Sequence, residues 1–281
     1  MRKIALMRRE SQWEIYQMDR FKPCDHTFVI CAYKDSEYLS SCIRSLKSQS
    51  VRSKVLAVTS TPSEYIDSIM KKAGIPLYIR DGASDIASDW NFALSLVETP
   101  LATIAHQDDV YLREYASTML ACMNAEERPL IFFSDYGEIR GERIVDVNHL
   151  LTVKRRMLWP LRFEWARRSI FVRRRILSLG SPICCPSVTY NLNILQRPLF
   201  SVGYRSDLDW QAWERISRYN GSFVYSDDIL MRHRIHEDSE TSLLIRNDVR
   251  TAEDFEMLSL FWPSPIARFI NSFYAKSQNS N

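Results

Sequence analysis

Two adjacent carboxylates, Asp108 and Asp109, directly follow an apolar run in the segment His106-Gln-Asp-Asp109. Stability alone gives little reason for such a pair, because like charges repel and a buried charge needs a partner. Hard divalent cations such as Mg²⁺ and Mn²⁺ favour carboxylate oxygens and leave other positions for phosphates. The segment therefore fits a metal–diphosphate site. A helix-capping turn is the alternative, because acidic side chains also suit a helix N-terminus.

A second acidic group lies in Ser206-Asp-Leu-Asp-Trp210, at the predicted start of an amphipathic helix. Asp207 or Asp209 could be the N-cap of that helix, which is the commonest role of aspartate at such a position. Alternatively, a carboxylate held at the helix start, with a tryptophan beside it, could accept a proton from an attacking hydroxyl. The residues alone leave both roles open.

A third segment, Arg232-His-Arg-Ile-His236-Glu-Asp-Ser239, leaves a predicted strand with two histidines and two arginines. If the strand continues, alternation places both arginines and His236 on one side and His233 on the other. Such a face could contact phosphates or offer His236 as a nitrogen ligand. The preceding pair Asp227-Asp228 is predicted to form a turn.

Residues 154–175 contain nine basic residues, one acidic residue and four interleaved aromatic residues. Three interpretations stay open for this basic segment. It could be a solvated helix face with snorkelling side-chain stems, a surface attracted to an anionic membrane, or a nucleic-acid contact. Nucleic acid is the weakest of the three, because the whole chain of 281 residues carries 37 basic and 34 acidic residues, a net charge of only +3.

The remaining composition is that of an ordinary folded protein, with 46% apolar and 25% charged residues. This excludes disorder, collagen and a coiled coil. Six cysteines without a CxxC spacing are expected to be reduced thiols in a cytosol. The apolar stretch near the start is too short for a signal peptide, and the uncharged run 176–196 is interrupted by glycine and proline. We therefore expect a cytoplasmic protein.

The elements that must position these groups alternate between strand and helix in the first half. The continuous apolar run at 27–31, with its β-branched residues, predicts a buried strand. Further strands are predicted at 55–58, 77–79, 101–105 and 130–133. This order predicts an α/β fold with a mostly parallel sheet and helices on both faces. Ligands of such sheets bind beyond the carboxyl ends of the strands.

Local signals also predict where the helices between these strands begin and end. Asp35 is predicted to cap the first helix, and Thr61-Pro-Ser-Glu64 to form a capping box for the second, which should stop at Gly74. Further helices are predicted through 90–97 and 112–125.

The second half predicts a helix at about 209–218, a strand at 229–232, and two C-terminal helices ending near 261 and 274. We divide the chain into an N-terminal extension (1–23), a main domain (24–240) and a helical tail (241–281). Within the main domain, 24–135 is the predicted nucleotide-sugar half and 136–240 the acceptor and catalytic half; this assignment depends on the following resemblance.

Four segments, in this order, resemble the family 2 glycosyltransferases. Phe28-Val-Ile-Cys-Ala-Tyr33-Lys-Asp35 resembles the opening strand of that family, and His106-Gln-Asp-Asp109 resembles its DxD-type metal motif. Asp207-Leu-Asp209-Trp210 resembles the element that carries the catalytic base, and Arg234-Ile-His236-Glu-Asp-Ser239 resembles the element that closes the site. The resemblance covers about residues 24–240.

The resemblance implies a GT-A (Rossmann-like) fold, a C-terminal helical extension, and transfer of one sugar from a nucleotide-diphosphate donor with inversion. It implies Asp209 as the base and Asp109 and His236 as ligands of a divalent metal, Mn²⁺ or Mg²⁺. Contacts with the nucleotide sugar are expected from Ala32, Tyr33, Ser60, Asn91 and Asp108. Contacts with the acceptor or phosphate are expected from Asp207, Trp210, Arg234 and Ser239.

The chain departs from the family pattern at two places. The acidic pair often found after the second strand is replaced by Val58-Thr-Ser-Thr-Pro62, so the hydroxyls of Thr59 or Ser60 could contact the base. The first Asp of the usual DxD is His106. The processive signature Gln-x-x-Arg-Trp does not occur in the sequence, which predicts a single addition.

The expected partners are a UDP-, dTDP- or GDP-linked sugar and a glycan or lipid-linked acceptor, with possible peripheral membrane contact and no nucleic acid. The expected setting is bacterial cell-surface polysaccharide synthesis in the cytoplasm or at the inner face of the membrane. The alternative is a catalytically degenerate fold-mate that binds nucleotides or glycans as a scaffold. A dehydrogenase or a nucleotidyltransferase should carry a glycine-rich loop after a strand, and no such loop occurs here.

Overall fold

A computed structural model of the protein describes residues 21–236 and 249–278, which form an α/β fold around one nine-stranded sheet. The strands are β1 His26–Ala32, β2 Lys54–Thr59, β3 Leu77–Ile79, β4 Leu101–His106, β5 Val110–Tyr111, β6 Pro129–Arg140, β7 Arg143–Val145, β8 Val188–Asn191 and β9 Ser222–Ile235. The helices are α1 Leu39–Lys47, α2 Glu64–Ala73, α3 Ile86–Ser95, α4 Tyr115–Asn124, α5 His149–Leu158, α6 Glu164–Arg168, α7 Ile170–Leu177, α8 Leu208–Ile216, α9 Val249–Ser259 and α10 Ser264–Gln278.

The sheet is mixed: β1 to β4 run parallel, as predicted, whereas the second half contains antiparallel pairings. Its order is β3-β2-β1-β4-β8-β6-β9-β5, with β7 beside β6. Strands β1 to β4, β6 and β9 run in one direction, and β5, β7 and β8 run against them. Ala32 is paired with Thr59 and Cys31 with His106, so β1, β2 and β4 end at the same edge. This register brings the predicted strand-end residues together.

The second half of the sheet differs from the sequence expectation in length and pairing. The uncharged run contains β8, a short strand that joins β4 to β6 by antiparallel pairing. Strands β6 and β9 extend far beyond the predicted 130–133 and 229–232. Asp227 and Asp228 lie inside β9, where its register with β6 shifts between Ser226 and Ile229. The predicted turn at this acidic pair is therefore wrong, and a β-bulge accommodates the two charges.

Helix termini were predicted with mixed success. The second helix does end at Gly74, whose φ of 64° is the left-handed conformation that glycine adopts without strain. Its N-cap is Ser63 rather than Thr61, and the hydroxyl of Ser63 accepts the N–H of Ile66. Asp35 does not cap α1, whose N-cap is Tyr38; the Asp35 carboxylate instead accepts a hydrogen bond from Ser63 at 2.6 Å. The helix predicted at 112–125 begins only at Tyr115 in the structure, because the short strand β5 at Val110–Tyr111 precedes it.

The apolar core forms two clusters of buried side chains. The C-terminal helices belong to one of them through Met257, Leu258 and Ala267, all at 0% exposure. The indole N–H of Trp262 also donates to the carbonyl of Ser178 at 2.7 Å. The predicted C-terminal helical extension therefore packs onto the main fold. Within the described ranges, no helix is long and apolar enough to cross a bilayer.

Most basic side chains of the segment 154–175 form hydrogen bonds or ion pairs with other groups of the protein. The buried guanidinium of Arg173 donates to the carbonyls of Ser217, Tyr219 and Gly221. Other arginines of the segment pair with acidic side chains in the ion pairs Arg155–Asp135, Arg162–Asp227, Arg167–Glu126, Arg168–Glu126 and Arg174–Glu214. The exposed part of the segment combines arginines with aromatic side chains, of which Trp165 is 67% and Phe171 is 72% exposed. Contact with a membrane stays a prediction, and fewer free charges than the sequence suggested are available for it.

Candidate active site

Asp109 is the most deeply buried acidic group at the edge where β1, β2 and β4 end, with 0% exposure. Its Oδ1 accepts the backbone N–H of Arg234 at 2.9 Å and lies 3.0 Å from Nδ1 of His233. Burial by itself would raise the pKa of Asp109, but His233, His106 and the Arg234 N–H outweigh it and hold that pKa below its usual value. The same contact raises the pKa of His233, against the effect of its burial. Asp109 is therefore an ionised carboxylate in the interior.

His106 is the third member of a compact ligand group with Asp108 and Asp109. One possible ligand atom from each residue lies within 4.8 Å of the others. The imidazole is stacked on Trp90, with ring centroids 5.2 Å apart. Burial lowers the pKa of His106, although both carboxylates oppose this shift. At neutral pH the imidazole is therefore uncharged, which is the form that binds metals.

Two buried polar atoms of this group test whether it fits a cation. Neither Oδ2 of Asp109 nor Nε2 of His106 has a hydrogen-bond partner among the residues that the structure describes. Buried polar atoms are rarely left unsatisfied, and a bound ion is one recognised explanation for such atoms. Carboxylate oxygens with one imidazole nitrogen suit Mn²⁺ or Mg²⁺ with open positions for a phosphate ligand. The residues present therefore fit the metal expected from the sequence.

The end of β9 closes this group from the opposite side. Nε2 of His236 lies 3.0 Å from Oδ2 of Asp108, and Nε of Arg234 donates to the Asp108 carbonyl at 2.9 Å. The Arg234 guanidinium also lies over the ring of Tyr38, 4.3 Å from its centroid. His236, predicted as a metal ligand, is thus brought to the cluster through Asp108. Ser239 lies outside the described residues.

The ends of β1 and β4 are tied together by one amide. The Tyr33 N–H donates to Oε1 of Gln107 at 2.9 Å, and Nε2 of Gln107 donates to the Tyr33 carbonyl at 2.8 Å. Ala32 is 4% and Tyr33 is 42% exposed, so the tyrosine side chain is available at the rim. Gln107 was not predicted to take part, although its place in the His106–Asp109 segment was the available signal. These two hydrogen bonds fix the backbone of Tyr33, an expected nucleotide contact, relative to Asp108 and Asp109, which follow Gln107.

Ser60, at the end of β2, joins a carboxylate that the sequence analysis missed. Its hydroxyl donates to Oδ2 of Asp89 at 2.8 Å, and Nε of Arg80 donates to Oδ1 at 2.6 Å. Asp89 belongs to α3, and no local sequence pattern distinguishes it from any other helical aspartate. The segment after β2 lacks the acidic pair that is common in the family. The carboxylate of Asp89, from α3, lies beside Ser60 at this place instead.

Asn91 is used within the protein. Its Nδ2 donates to the carbonyl of Phe200 at 2.7 Å, and its Oδ1 accepts the N–H of Phe200 at 3.0 Å. This pair attaches α3 to the loop that precedes α8. Asn91 thus supports the site through the backbone, and its side-chain amide is already engaged on both sides.

Helix α8 carries the predicted base, Asp209, in its first turn. Burial would lower the pKa of the Lys154 ammonium, but the Tyr136 hydroxyl, which accepts a hydrogen bond from Nζ at 2.9 Å, raises it, with smaller contributions from Cys184 and Asp209. Asp207 is the N-cap residue but makes no side-chain capping bond. The predicted acceptor contact of Trp210 is not supported, because the indole is 2% exposed and donates to the Leu177 carbonyl at 3.0 Å.

The start of α8 is capped by a residue from the C-terminal tail instead. The carboxylate of Glu253, in α9, accepts the backbone N–H groups of Arg205, Ser206 and Asp207 at 2.9, 2.7 and 2.9 Å. Three successive donors on one carboxylate form a strong anchor, because hydrogen bonds to a charged acceptor are shorter and stronger than neutral ones. The helix that carries Asp209 is thus held by a segment more than forty residues away in sequence.

No protein-family model matches the chain, and no curated protein does. Solved structures do resemble it. TarS of S. aureus in complex with UDP-GlcNAc has a TM-score of 0.56 at 14% identity, covering 88% of this chain and 70% of that chain. The mannosyltransferase PcManGT from Pyrobaculum calidifontis, in complex with GDP-Man and Mn²⁺, has a TM-score of 0.59 at 11% identity, covering 93% and 75%. In another TarS structure, with a TM-score of 0.54 at 12% identity, the match covers 87% of this chain but only 42% of the TarS chain.

At these identities the likeness concerns the fold. PcManGT is a mannosyltransferase by name, and the mixed α/β sheet of this chain follows the fold of these neighbours. The prediction of the fold class is confirmed. Membership of family 2 itself stays a resemblance. The chain therefore has a glycosyltransferase-like fold with a cluster able to hold a divalent metal at the edge where its parallel strands end.

Proposed function

We propose that the protein is a metal-dependent glycosyltransferase that moves one sugar from a nucleotide-diphosphate donor to an acceptor hydroxyl, with inversion. The observation that carries the proposal is the unsatisfied pair of buried atoms, Oδ2 of Asp109 and Nε2 of His106, at the common edge of β1, β2 and β4. Ligands of parallel sheets bind at this edge. The two neighbours whose structures contain UDP-GlcNAc, or GDP-Man with Mn²⁺, support the same class of donor.

His106, Asp108 and Asp109 would hold the cation. When bound, a divalent cation offsets the negative charge that develops on a leaving diphosphate. His233 and the backbone N–H of Arg234 fix the Asp109 carboxylate, and His236 and Arg234 fix Asp108. These contacts prepare the ligand group in advance, so little reorganisation is needed when charge develops.

Asp209 would accept the proton of the acceptor hydroxyl as the new glycosidic bond forms. The proton moves from the hydroxyl oxygen to the Asp209 carboxylate, the oxygen attacks the anomeric carbon, and the bond from that carbon to the diphosphate breaks. A direct displacement of this kind inverts the anomeric configuration. The ammonium of Lys154 donates to the hydroxyl of Tyr136 at 2.9 Å and interacts electrostatically with the Asp209 carboxylate.

The finer parts of the proposal concern partners and setting. Ser60 and Tyr33 lie at the ends of β2 and β1, where a nucleotide can be held, and Asp89 adds an acceptor for base N–H groups. We propose a UDP-, dTDP- or GDP-linked donor, a glycan or lipid-linked acceptor, and a role in bacterial cell-surface polysaccharide synthesis on the cytoplasmic side of the membrane. No nucleic acid is involved.

Calorimetric titration of UDP, GDP and dTDP, each with Mn²⁺ and with a chelator, tests the donor site. We expect one nucleotide to bind in a metal-dependent manner and Asp109→Asn to weaken this binding at least about tenfold. Asp67→Asn is the matched control, because Asp67 is an exposed aspartate paired only with Lys71 on α2. Equal binding with and without metal would contradict the metal role. Metal-dependent binding without transfer to any acceptor would favour the degenerate, scaffold alternative.

A further inference from the structure

A cavity of about 580 Å³, separate from the candidate metal cluster, opens between α5, the turn that follows it, and the bulged part of β6 and β9. None of the residues that line it belongs to the metal cluster or to the ends of β1 and β2. Its walls contain three guanidinium groups, two carboxylates and two aromatic rings. The residues that the argument uses are Arg155, Arg156, Arg162, Trp159, Asp135 and Asp227.

The arginines present unused N–H donors to this space. Arg155 is fixed by the buried carboxylate of Asp135 and by the Tyr136 carbonyl. Arg162 pairs with Asp227, but their side chains are 49% and 50% exposed, so the pair is weak and can open. Arg156 has no hydrogen bond or ion pair with any residue in the described part of the chain. Three arginines against two aspartates leave the lining with one excess positive charge.

The aromatic part of the lining adds a surface of a different kind. Trp159 is 53% exposed and is held edge-on against Phe163, with ring centroids 5.1 Å apart. An indole face fixed in this way offers apolar area at little entropic cost. A sugar ring presents hydroxyl groups at its edge and an apolar C–H face. The carboxylates of the cavity can accept hydrogen bonds from the hydroxyl groups, and the flat indole can pack against the apolar face. Guanidinium groups recognise planar or tetrahedral oxyanions through paired N–H donors.

The cavity adjoins the candidate active site through neighbouring residues of the same two elements. In β6, Asp135 lines the cavity and Tyr136 contacts Lys154. In α5, Arg155 lines the cavity, and its neighbour Lys154 donates to the Tyr136 hydroxyl at 2.9 Å. The cavity therefore lies beside the contact between Lys154 and Tyr136.

We propose that this cavity binds an anionic sugar unit, one that carries a phosphate or a carboxylate, as a subsite for the acceptor. The assignment to the acceptor rests on the proposed glycosyl transfer, whereas the binding of an anionic sugar does not. Arg156 and Arg162 bind the charged group, and Trp159 stacks on the ring. The occupant is thereby distinguished from a neutral glycan, which would not use the guanidinium of Arg156 or the exposed guanidinium of Arg162.

The test measures binding to the full chain by ligand-observed NMR, in chelator so that the metal cluster does not bind phosphate. The probes are glucose 6-phosphate, glucuronate, glucose and inorganic phosphate. We expect one of the two anionic sugars to bind at least about tenfold more tightly than glucose or phosphate; which one binds identifies the phosphate or the carboxylate as the source. Equal binding of glucose, or of inorganic phosphate, would overturn the proposal.

Variants locate the binding. The double variant Arg156→Gln, Arg162→Gln should weaken binding of the anionic sugar at least about tenfold, and Trp159→Ala should remove its advantage over inorganic phosphate. Arg113→Gln is the matched control, because Arg113 is exposed and paired with Glu114 outside the cavity. Unchanged binding in the cavity variants would overturn the proposal. Binding to phosphatidylglycerol vesicles that depends on Trp159, without binding of either anionic sugar, would also overturn the proposal. The surface would then bind lipid headgroups and not a sugar.

The two proposals fail separately. Metal-dependent nucleotide binding should be unchanged in the cavity variants, because none of the substituted residues touches the metal cluster. If nucleotide binding is absent while the anionic sugar binds, the glycosyl-transfer proposal fails and the cavity remains a binding site for anionic sugars. If the nucleotide binds and no anionic sugar does, only the cavity proposal fails.

Discussion

At the scale of single residues, the site is organised by the contacts of two adjacent aspartates. Asp109 is fixed by His233 and by a backbone N–H, and Asp108 lies beside His236. The two carboxylates therefore have different surroundings although they are neighbours in sequence. Asp109 is buried and ionised, with one oxygen left for a cation, whereas Asp108 is 20% exposed and can meet a ligand from solvent. This difference explains how two like charges can be kept side by side.

We expect Asp209→Asn to lower the transfer rate by about a hundredfold to ten-thousandfold, the usual contribution of a general base. Nucleotide binding should be unchanged, because Asp209 lies in α8 and not at the ends of β1, β2 and β4. Rates of transfer and calorimetric titration of the nucleotide measure the two effects separately. Glu256→Gln serves as the control for an acidic substitution nearby. A large loss of nucleotide affinity in the Asp209 variant would contradict its role as base.

At the scale of elements, the C-terminal tail contributes to the site by holding α8. Glu253 of α9 accepts three successive backbone N–H groups at the start of α8. Arg173 of α7 satisfies three carbonyls beyond the other end of the same helix. A helix needs partners for its terminal N–H and C=O groups. The backbone on both sides of α8 is thus held by two other helices, while Asp209 and Ser217 satisfy groups at the two ends of the helix itself.

Glu253→Gln should lower the free energy of unfolding by about 2 kcal/mol, because an amide loses the charge and can accept fewer of the three N–H groups. The transfer rate should fall together with stability, since Asp209 is positioned by the same turn. Urea denaturation and initial rates check the two effects. Glu256→Gln is again the matched control, because the Glu256 carboxylate accepts a hydrogen bond from the Tyr204 hydroxyl, which the amide oxygen of glutamine can still accept without the charge. Equal effects of the two variants would show that the three N–H contacts are unimportant.

Arg173→Met should destabilise the protein by about 3 kcal/mol or more, because three buried carbonyls then lose their donors. The burial that lowers the pKa of Arg173 to about 10 leaves the guanidinium charged at neutral pH. Arg175→Met is the control, since the Arg175 guanidinium lies over the rings of Phe171 and Trp262. Thermal denaturation compares them. A smaller loss for Arg173 than for Arg175 would exclude the proposed capping role.

At the scale of the whole molecule, the sheet places a neutral histidine in the core at the other end of β1. His26 is 0% exposed, with its ring nitrogens 2.8 Å from the Ser53 hydroxyl and 2.9 Å from the Thr103 hydroxyl. Burial lowers the pKa of His26 from 6.5 to about 3. The unfolded chain binds this proton below pH 6.5 and the folded chain only near pH 3, so acid favours the unfolded state.

The stability of the protein should therefore fall by about 1.4 kcal/mol for each pH unit between pH 6.5 and about 3 through this histidine alone. In His26→Gln this contribution disappears, so the stability advantage of the unmodified protein over the variant should narrow as the pH falls. Urea denaturation at pH 7, 5.5 and 4.5 measures it. His149→Gln, at an exposed position, should keep the full slope. A constant difference between the protein and His26→Gln would refute the buried neutral state.

The sequence by itself determined most strands of the first half, because short apolar runs rich in β-branched residues, bounded by turn and capping signals, favour strands. It also determined the neighbourhood of Asp109, since residues that follow parallel strands must meet at one edge, as the register of Cys31 with His106 shows. Only the tertiary structure decided which groups complete the site. Asp89 reaches Ser60, Glu253 caps α8 and Asp227 enters a bulge through long-range contacts. Such contacts leave no periodic pattern in the chain, because they depend on where separate elements pack and not on the residues beside them.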